Sequence, residues 1–341
     1  MRPLILLILS SLMLAACSSN TSSTAKVLRL NGHTMGTMWS VKLVLEDATA
    51  ANFYWEAIQD ELDNINSKMS TYQADSEVSR LNSLDKAGCV DASKETLAVV
   101  GAALALSEQS SGAFDITVGP LVNAWGFGPD YTDEAVPDAD RLLTLAKSTG
   151  YQHIRIQDKK VCKDQGATQI DLSAIAKGYA VDQVARYLDR IEMQHYLVEV
   201  GGELFARGNK PDGSAWRIGI ETPSANKREV FENTIVPLVD IAIASSGDYR
   251  NYFEKNGLRY SHTIDPRTAK PIAHTLASVT VVAENSMLAD AWATALMVLG
   301  PQDGLKLANT LQLPVLMLVR VDDGFLSQPS DAFTAYMAKQ L

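Results

Sequence analysis

One aspartate stands in an otherwise apolar stretch late in the sequence. Residues 285–299, NSMLADAWATALMVL, contain Asp290 and Thr294, four positions apart and therefore on one face of a helix. A carboxylate in such surroundings costs free energy unless a cation or hydrogen bonds offset its desolvation. Mg²⁺ would offset it, because this ion takes few protein oxygens and leaves room for water and phosphate. The structural alternative is a first-turn aspartate favoured by the helix dipole and a threonine bonded to a backbone carbonyl.

A second polar set interrupts the segment IDLSAIAKGYAVDQVARYL at residues 170–188. Its apolar residues recur at helical spacing from Leu172 to Leu188, which predicts a helix with one buried face. Asp171 and Lys177 lie near the expected N-terminus, where unpaired N–H groups attract phosphate. Gly178 costs about 1 kcal/mol relative to alanine inside a helix, which indicates close approach of another backbone or of a ligand. The alternative is a capped helix with a packing glycine and a solvated lysine.

Small or polar residues cluster at three further places. GAFDITVGP at 112–120 and VEVGG at 198–202 would let a ligand approach the backbone, although a double glycine is usually a turn or bulge. SSGDY at 245–249 precedes SHTIDP at 261–266, which places His262 at the end of a hairpin strand. His262 is a candidate base or a structural histidine, and the residues alone do not separate these readings.

These segments need a scaffold of helices and strands. Apolar spacing predicts helices over Asn52–Met69, Lys94–Ser110 and Ala139–Thr149. Asn256-Gly257 predicts a tight hairpin within Glu254–Tyr260, because both residues tolerate positive φ. The strands do not alternate strictly with helices, so we expect an α+β fold with mixed, largely antiparallel sheets. Predicted strands are Val27–Leu30, Ser40–Leu45, His153–Gln157, Tyr196–Val200, Arg217–Glu221, Ile235–Val239 and Ala277–Val282.

The N-terminus has the layout of an export signal. One early arginine, a short apolar run and small residues precede Cys17. LAAC at 14–17 resembles a bacterial lipobox, which implies a signal peptide at 1–16 and diacylation of Cys17; the alternative is an ordinary signal with a chance cysteine. Residues 17–26 would form a flexible tether, and 27–341 a single large domain with two interleaved lobes.

The composition argues against a nucleic-acid partner and leaves open whether two cysteines form a disulfide. The chain has 341 residues and a formal net charge of −10, which argues against nucleic acid. Beyond Cys17 it contains Cys89 and Cys162, in a compartment that would permit a disulfide. A bridge and two free thiols are both compatible with the sequence.

Seven ordered motifs resemble those of the ApbE family, the FAD:protein FMN transferases. They span nearly all of the predicted mature chain, and together they are far more specific than any one glycine pattern. The motifs are MGT at 35–37, AFD at 113–115, DLSAIAKG at 171–178, EVGGE at 199–203, SSGDY at 245–249, SHTIDPRT at 261–268 and LADAWATAL at 288–296.

The resemblance implies an ApbE-like, T-fold-like domain that binds FAD and Mg²⁺. It would transfer FMN from FAD to a Thr or Ser hydroxyl of a target protein and release AMP. Asp290, Thr294 and the Ala174 carbonyl would bind the metal, and His262 and Asp290 would be catalytic. Gly178 would let FAD and its metal lie against the helix. The FAD contacts carried over are Met35, Tyr72, Ala113, Phe114, Asp115, Asp171, Lys177 and Ile264.

The resemblance also implies a place and a partner. Many family members are periplasmic lipoproteins, which implies anchoring to the inner or outer membrane, and their targets are membrane redox subunits such as those of Na⁺-translocating NADH:quinone reductase or Rnf-type complexes. Two rivals share the pocket: an FAD pyrophosphatase that gives FMN and AMP, and a flavin-binding lipoprotein without chemistry. One departure is Ala269, where the family commonly has glycine, because alanine tolerates positive φ poorly.

Overall fold

The computed structural model describes residues 25–47, 49–128, 136–223, 229–249 and 251–340. The predicted signal peptide, Cys17 and nearly all of the tether lie outside these ranges. No helix in the described ranges is long and apolar enough to cross a membrane.

The helices predicted over Asn52–Met69, Lys94–Ser110 and Ala139–Thr149 form, with their ends shifted by at most three residues. The helices are α1 (Ala51–Met69), α2 (Glu77–Asn82), α3 (Lys94–Gln109), α4 (Gly119–Ala124), α5 (Ala139–Ala146), α6 (Ala176–Arg190), α7 (Ser286–Thr310) and α8 (Asp331–Ala338). Ser76 and Ser93 cap α2 and α3 by accepting a hydrogen bond from the backbone three residues on. Helix α7 breaks at Gly300, where φ is 80°, and a second helical segment begins at once with Pro301.

Every strand pair in the described ranges is antiparallel, which confirms the α+β class. Eight strands form one sheet in the order β1-β2-β6-β7-β10-β15-β16-β17. They are β1 (Lys26–Thr34), β2 (Thr37–Leu45), β6 (Tyr196–Val200), β7 (Glu203–Arg207), β10 (Ile241–Gly247), β15 (Leu276–Ala283), β16 (Val315–Val321) and β17 (Gly324–Pro329).

Smaller sheets surround this one. Strands β3 (Gly88–Asp91), β5 (Lys160–Lys163) and β4 (Ile154–Gln157) form one of them, and β8 (Trp216–Glu221) pairs with β9 (Val230–Leu238). Strands β11 (Tyr252–Lys255) and β12 (Leu258–Ser261) form the predicted hairpin, with positive φ at Asn256 and Gly257. Strands β13 (Ile264–Asp265) and β14 (Lys270–Pro271) form a second, shorter hairpin.

Side chains alternate between two hydrophobic clusters on the two faces of the large sheet. Val198 and Met317 pack with the cluster that contains α1, α3, α6 and α7. Their neighbours Leu197, Leu316 and Leu318 pack on the opposite face with β8, β9 and α8. Strands buried on both faces need apolar residues at every position, which accounts for the continuous run of β16. The helical face is the one that carries the site.

Cys89 and Cys162 form a disulfide between paired residues of β3 and β5. The bond answers the question that the sequence left open. It joins a sheet whose strands are only four residues long each, and it closes a loop of 73 residues in sequence. Such a crosslink stabilises the fold by restricting the unfolded chain.

Candidate active site

A cavity of about 520 Å³ lies where α6, α7 and the loops before α4 and β13 meet. Of the residues predicted for catalysis, FAD binding or metal binding, all but Met35 line it: Tyr72, Ala113, Phe114, Asp115, Asp171, Ala174, Lys177, His262, Ile264, Asp290 and Thr294. Met35 lines an adjoining cavity of about 420 Å³, which shares Tyr72 and Lys177 with the first. Apart from Tyr72, these predicted residues come from five of the seven motifs, and they converge on one connected space.

Two carboxylates and one ammonium group form the charged centre of the cavity. Lys177 Nζ lies 3.5 Å from Asp290 Oδ2 and 3.4 Å from Glu203 Oε1. Asp290 is 5 % exposed and Glu203 is 4 % exposed. Burial disfavours the charge on Lys177, but the two carboxylates outweigh this effect and raise its pKa. The lysine is therefore a fixed positive charge in the cavity wall.

The cluster holds more negative than positive charge when both acids are ionised. Burial raises the pKa of Glu203 to about 8, against the attraction of Lys177 and with the repulsion of Asp290. Glu203 Oε2 is buried and has no hydrogen-bond partner in the described ranges. A proton or an additional cation would compensate this excess charge.

Gly178 serves the packing of two helices, so the expectation that it makes room for FAD is wrong. A Cβ atom at Gly178 would lie 2.2 Å from Ser286 O and 2.8 Å from Met287 Cα, both on the backbone of α7. The close contact lets Gly178 N donate to Asp290 Oδ2 at 3.1 Å. Asp182 reinforces the same junction by accepting from Ser286 N at 2.8 Å and Met287 N at 3.0 Å. The glycine thus sets the position of Asp290.

Helix α6 begins at Ala176, later than the apolar spacing predicts. Residues 171–175 form a turn in which Asp171 Oδ1 accepts from Ser173 N at 2.8 Å and Ser173 Oγ at 2.5 Å. Asp171 N donates to Ile116 O at 2.7 Å, which ties this turn to the AFD loop. Asp171 is therefore not a cap of the helix. The turn brings Ala174 to the cavity wall.

The AFD loop is held in shape by its own aspartate. Asp115 Oδ1 accepts from Thr117 N at 2.8 Å and Thr117 Oγ1 at 2.6 Å, and Oδ2 accepts from Tyr151 N at 2.8 Å. Burial raises the pKa of Asp115, although these three donors oppose the shift. With both oxygens engaged, Asp115 presents Ala113 and Phe114 to the cavity and offers little free hydrogen-bonding capacity itself.

His262 is oriented by a backbone carbonyl. Its Nδ1 lies 2.9 Å from Asn251 O, and its backbone N donates to the same oxygen at 3.1 Å. A carbonyl only accepts, so Nδ1 carries the proton and Nε2 remains the acceptor of the ring. Burial lowers the pKa of His262 despite this carbonyl. The neutral ring is therefore in the state that a general base requires.

The loop after His262 contains a residue with positive φ, at a position where the sequence has alanine and not glycine. Ala269 has a φ of 59°, and it is buried. Its carbonyl accepts from Trp125 Nε1 at 3.0 Å, and Ala269 N donates to Asp265 O at 2.9 Å. The turn thus forms with alanine in a left-handed conformation, held by contacts on both sides. Alanine at position 269 therefore does not prevent the positive-φ turn.

Asp290, Thr294 and Ala174 offer the oxygen types that a hard divalent cation binds. All three line the cavity, and Asp290 Oδ1 makes no hydrogen bond within the described ranges. No group of three or more His, Cys, Asp and Glu side chains that could hold a metal occurs in those ranges. A site of one carboxylate, one hydroxyl and one carbonyl leaves coordination positions for water and phosphate oxygens, as Mg²⁺ prefers.

Sequence reasoning missed Glu203 as a site residue and the role of Asn251. The EVGGE motif contains Glu203, but nothing local shows that β7 would bring it to Lys177. Asn251 acts through its carbonyl, which any residue type supplies. Ser245, Ser246 and Tyr249 of the SSGDY motif also line the cavity. Asp248 of that motif is instead buried against Arg320 and accepts from Arg320 Nη1 at 3.1 Å.

Comparison with known proteins gives consistent results. The model of the ApbE family matches residues 35–317. An FAD:protein FMN transferase of Vibrio cholerae is 43 % identical over 99 % of this chain and 100 % of its own length. One of Haemophilus influenzae is 40 % identical over 96 % of both chains.

Solved structures agree with these relatives. The flavin transferase ApbE from Vibrio cholerae superposes with a TM-score of 0.84 at 42 % identity, covering 91 % of this chain and 99 % of its own. The ApbE protein from Thermotoga maritima gives a TM-score of 0.79 at 31 % identity, with the same two coverages.

Proposed function

The chain belongs to the ApbE family, and we propose that it transfers FMN from FAD to a Thr or Ser hydroxyl of a protein, releasing AMP. It is a transferase, as its relatives are. One observation supports the transfer of FMN with release of AMP: His262, Lys177 and Asp290 all line one cavity. A base, a cation and an oxygen ligand are the groups that phosphoryl transfer from a pyrophosphate requires.

The acceptor hydroxyl attacks the phosphorus of the FMN half of FAD. A bond forms between that hydroxyl oxygen and phosphorus, and the bond from this phosphorus to the bridging oxygen breaks. AMP leaves with the bridging oxygen, and the hydroxyl proton passes to His262 Nε2. The fixed hydrogen bond from Nδ1 to Asn251 O keeps the ring in the tautomer that accepts this proton.

Lys177 would stabilise the negative charge that grows on the phosphates during this step. Its Nζ is positioned by Ser173 O at 3.2 Å as well as by the two carboxylates, so little reorganisation is needed on binding. Asp290, Thr294 and the Ala174 carbonyl would hold Mg²⁺, which when bound neutralises phosphate charge and polarises the P–O bonds. Glu203 keeps Lys177 in place from the opposite side.

The N-terminus and the family support a proposed cellular setting. Cys17 would carry the lipid that anchors the protein to a membrane of the periplasm, and residues 17–26 would give the domain reach. The acceptors would be redox subunits of Na⁺-translocating NADH:quinone reductase or Rnf-type complexes. Truncating the chain before residue 25 should release it from membranes without changing transfer by the purified domain.

Measuring AMP release with and without an acceptor subunit tests the proposed function. The purified domain, FAD and Mg²⁺ should give AMP in proportion to added acceptor, and His262→Gln should remove most of that increment. AMP and free FMN at the same rate without acceptor would identify a pyrophosphatase. Bound FAD with no AMP under either condition would identify a flavin-binding protein without this chemistry.

A further inference from the structure

A second cavity lies beside the active site, on the opposite face of the large sheet. It measures about 580 Å³ and is lined by ends of β1, β2, β6, β7, β8 and β10. We call it the β8 groove, because five consecutive residues of β8, 217–221, line it. None of the site residues expected from the sequence lies in it, so it needs a separate explanation.

The floor of the β8 groove changes from polar to apolar along one row of the large sheet. Ser40 pairs with Glu199, Glu199 with Leu204, and Leu204 with Ile243, so these residues form one row across four strands. Leu204 and Ile243 belong to the hydrophobic cluster under β8 and β9, whereas Ser40 Oγ donates to Glu199 Oε2 at 3.2 Å. A sheet face that only stabilised the fold would continue the apolar row.

The wall between the β8 groove and the active site is one glycine thick. Gly201 lines the groove, and a Cβ atom on it would lie 3.0 Å from Thr37 Cγ2 and 3.2 Å from both Lys177 Cδ and Glu203 Oε2, so the wall is closely packed at this point. Ser245 and Tyr249 line both cavities. A molecule in the groove would therefore lie within side-chain reach of the charged cluster.

The groove also offers a backbone edge and an exposed arginine. In the described ranges β8 pairs with β9 alone, so its second edge has no strand partner. Arg217 is exposed and makes no ion pair in those ranges, and Met38 is 60 % exposed at the rim. An extended peptide pairs with such an edge through its main chain, while pockets for alternate side chains give specificity.

We infer that the β8 groove binds the acceptor protein as an extended segment, with its hydroxyl-bearing side chain directed past Ser245 and Tyr249, which line both cavities, into the active site. This inference rests on the proposed function, which requires a polypeptide to enter the FAD cavity. It accounts for the separation of the two cavities: FAD binds on one side of the glycine wall and the acceptor chain on the other.

Two variants test the β8 groove without touching the groups that bind FAD. Met38→Trp adds bulk at the rim, and Arg217→Glu reverses an exposed charge that makes no ion pair with the residues the structure describes. Matched controls are Val27→Trp, on the exposed part of β1, and Arg155→Glu, on β4; neither lines the groove. The probe is the flavin-free target subunit of a Na⁺-translocating NADH:quinone reductase.

Each groove variant should raise the KM for this acceptor about tenfold, which corresponds to one well-placed contact at an interface. FAD affinity, measured by flavin fluorescence, should stay within about twofold of the unmodified protein, and both controls should behave like it. Hydrogen exchange of residues 216–221 should slow when the acceptor is added. Normal acceptor KM in both variants, or no protection of β8, would overturn the docking site alone. No transfer by the unmodified protein would overturn the proposed function and the docking site with it.

Discussion

Replacing Gly178 by alanine tests how the two helices of the site fit together. The added methyl group would lie 2.2 Å from Ser286 O, 2.6 Å from Ser286 C and 2.8 Å from Met287 Cα. These are backbone atoms of α7, so no side chain can rotate away, and the two helices must separate. Separation would also lengthen the 3.1 Å hydrogen bond from Gly178 N to Asp290 Oδ2.

The expected change in the free energy of unfolding is the sum of two destabilising effects and one stabilising effect. Overpacking costs about 1–3 kcal/mol, and weakening a hydrogen bond to a carboxylate costs up to about 1.5–3 kcal/mol. Alanine returns at most about 1 kcal/mol of helix propensity. We therefore expect the free energy of unfolding to fall by about 2–4 kcal/mol, and Tm by about 4–8 °C for a domain of this size.

The matched control is Gly101→Ala in the interior of α3. A Cβ atom there would meet only Ile156 Cδ1 at 3.6 Å, an ordinary contact. This variant should be as stable as the parent or more stable by up to about 1 kcal/mol. Thermal unfolding, followed by circular dichroism, shows whether Gly178→Ala lowers Tm while Gly101→Ala does not. If Gly178→Ala kept or raised Tm, the close packing of α6 on α7 would be wrong.

Three further predictions concern charge and chemistry. His262→Gln should slow transfer by about 10²–10⁴-fold with FAD affinity unchanged, because a general base is lost; the acid limb of the pH–rate profile, expected below the ordinary pKa of histidine, should vanish with it. Loss of FAD binding instead would assign His262 to binding. Asp290→Asn should lower Mg²⁺-dependent transfer by at least about a hundredfold, and parent activity that persists in excess chelator would contradict the metal site. Burial raises the pKa of Asp182 to about 6 from 3.8, so ionisation costs stability as pH rises through this window. Chemical denaturation at pH 4 and pH 7 should show Asp182→Asn gaining about 2–3 kcal/mol relative to the parent at the higher pH, and a pH-independent difference would refute the shift.

Local patterns in the sequence predict much of the scaffold and of the site. The spacing of Ile58, Leu62 and Ile65 predicts α1 to within one residue, and Asn256-Gly257 predicts the β11–β12 hairpin. The isolated Asp290 predicts a charged centre, because a carboxylate in an apolar helix needs a partner wherever the helix lies. These inferences depend only on residues close together in the sequence.

What the sequence could not show depends on contacts between distant segments. The spacing of apolar residues cannot show where α6 starts. Leu172 and Ile175 are spaced as in a helix, although they belong to the turn that precedes it. The spacing cannot tell whether Gly178 faces a backbone or a ligand, since both need the missing side chain. Glu203 reaches Lys177 only through the pairing of β6 with β7. The β8 groove likewise exists only once β8 lies over the large sheet.

We propose that this cavity moves FMN onto a protein hydroxyl. The most direct measurement is the intact mass of an acceptor subunit after incubation with the domain, FAD and Mg²⁺, beside an acceptor whose target Thr is replaced by Val. We predict a gain of one FMN phosphoester on the first acceptor, with equal moles of AMP, and no gain on the second. An unmodified acceptor with free FMN and AMP in solution would contradict the claim.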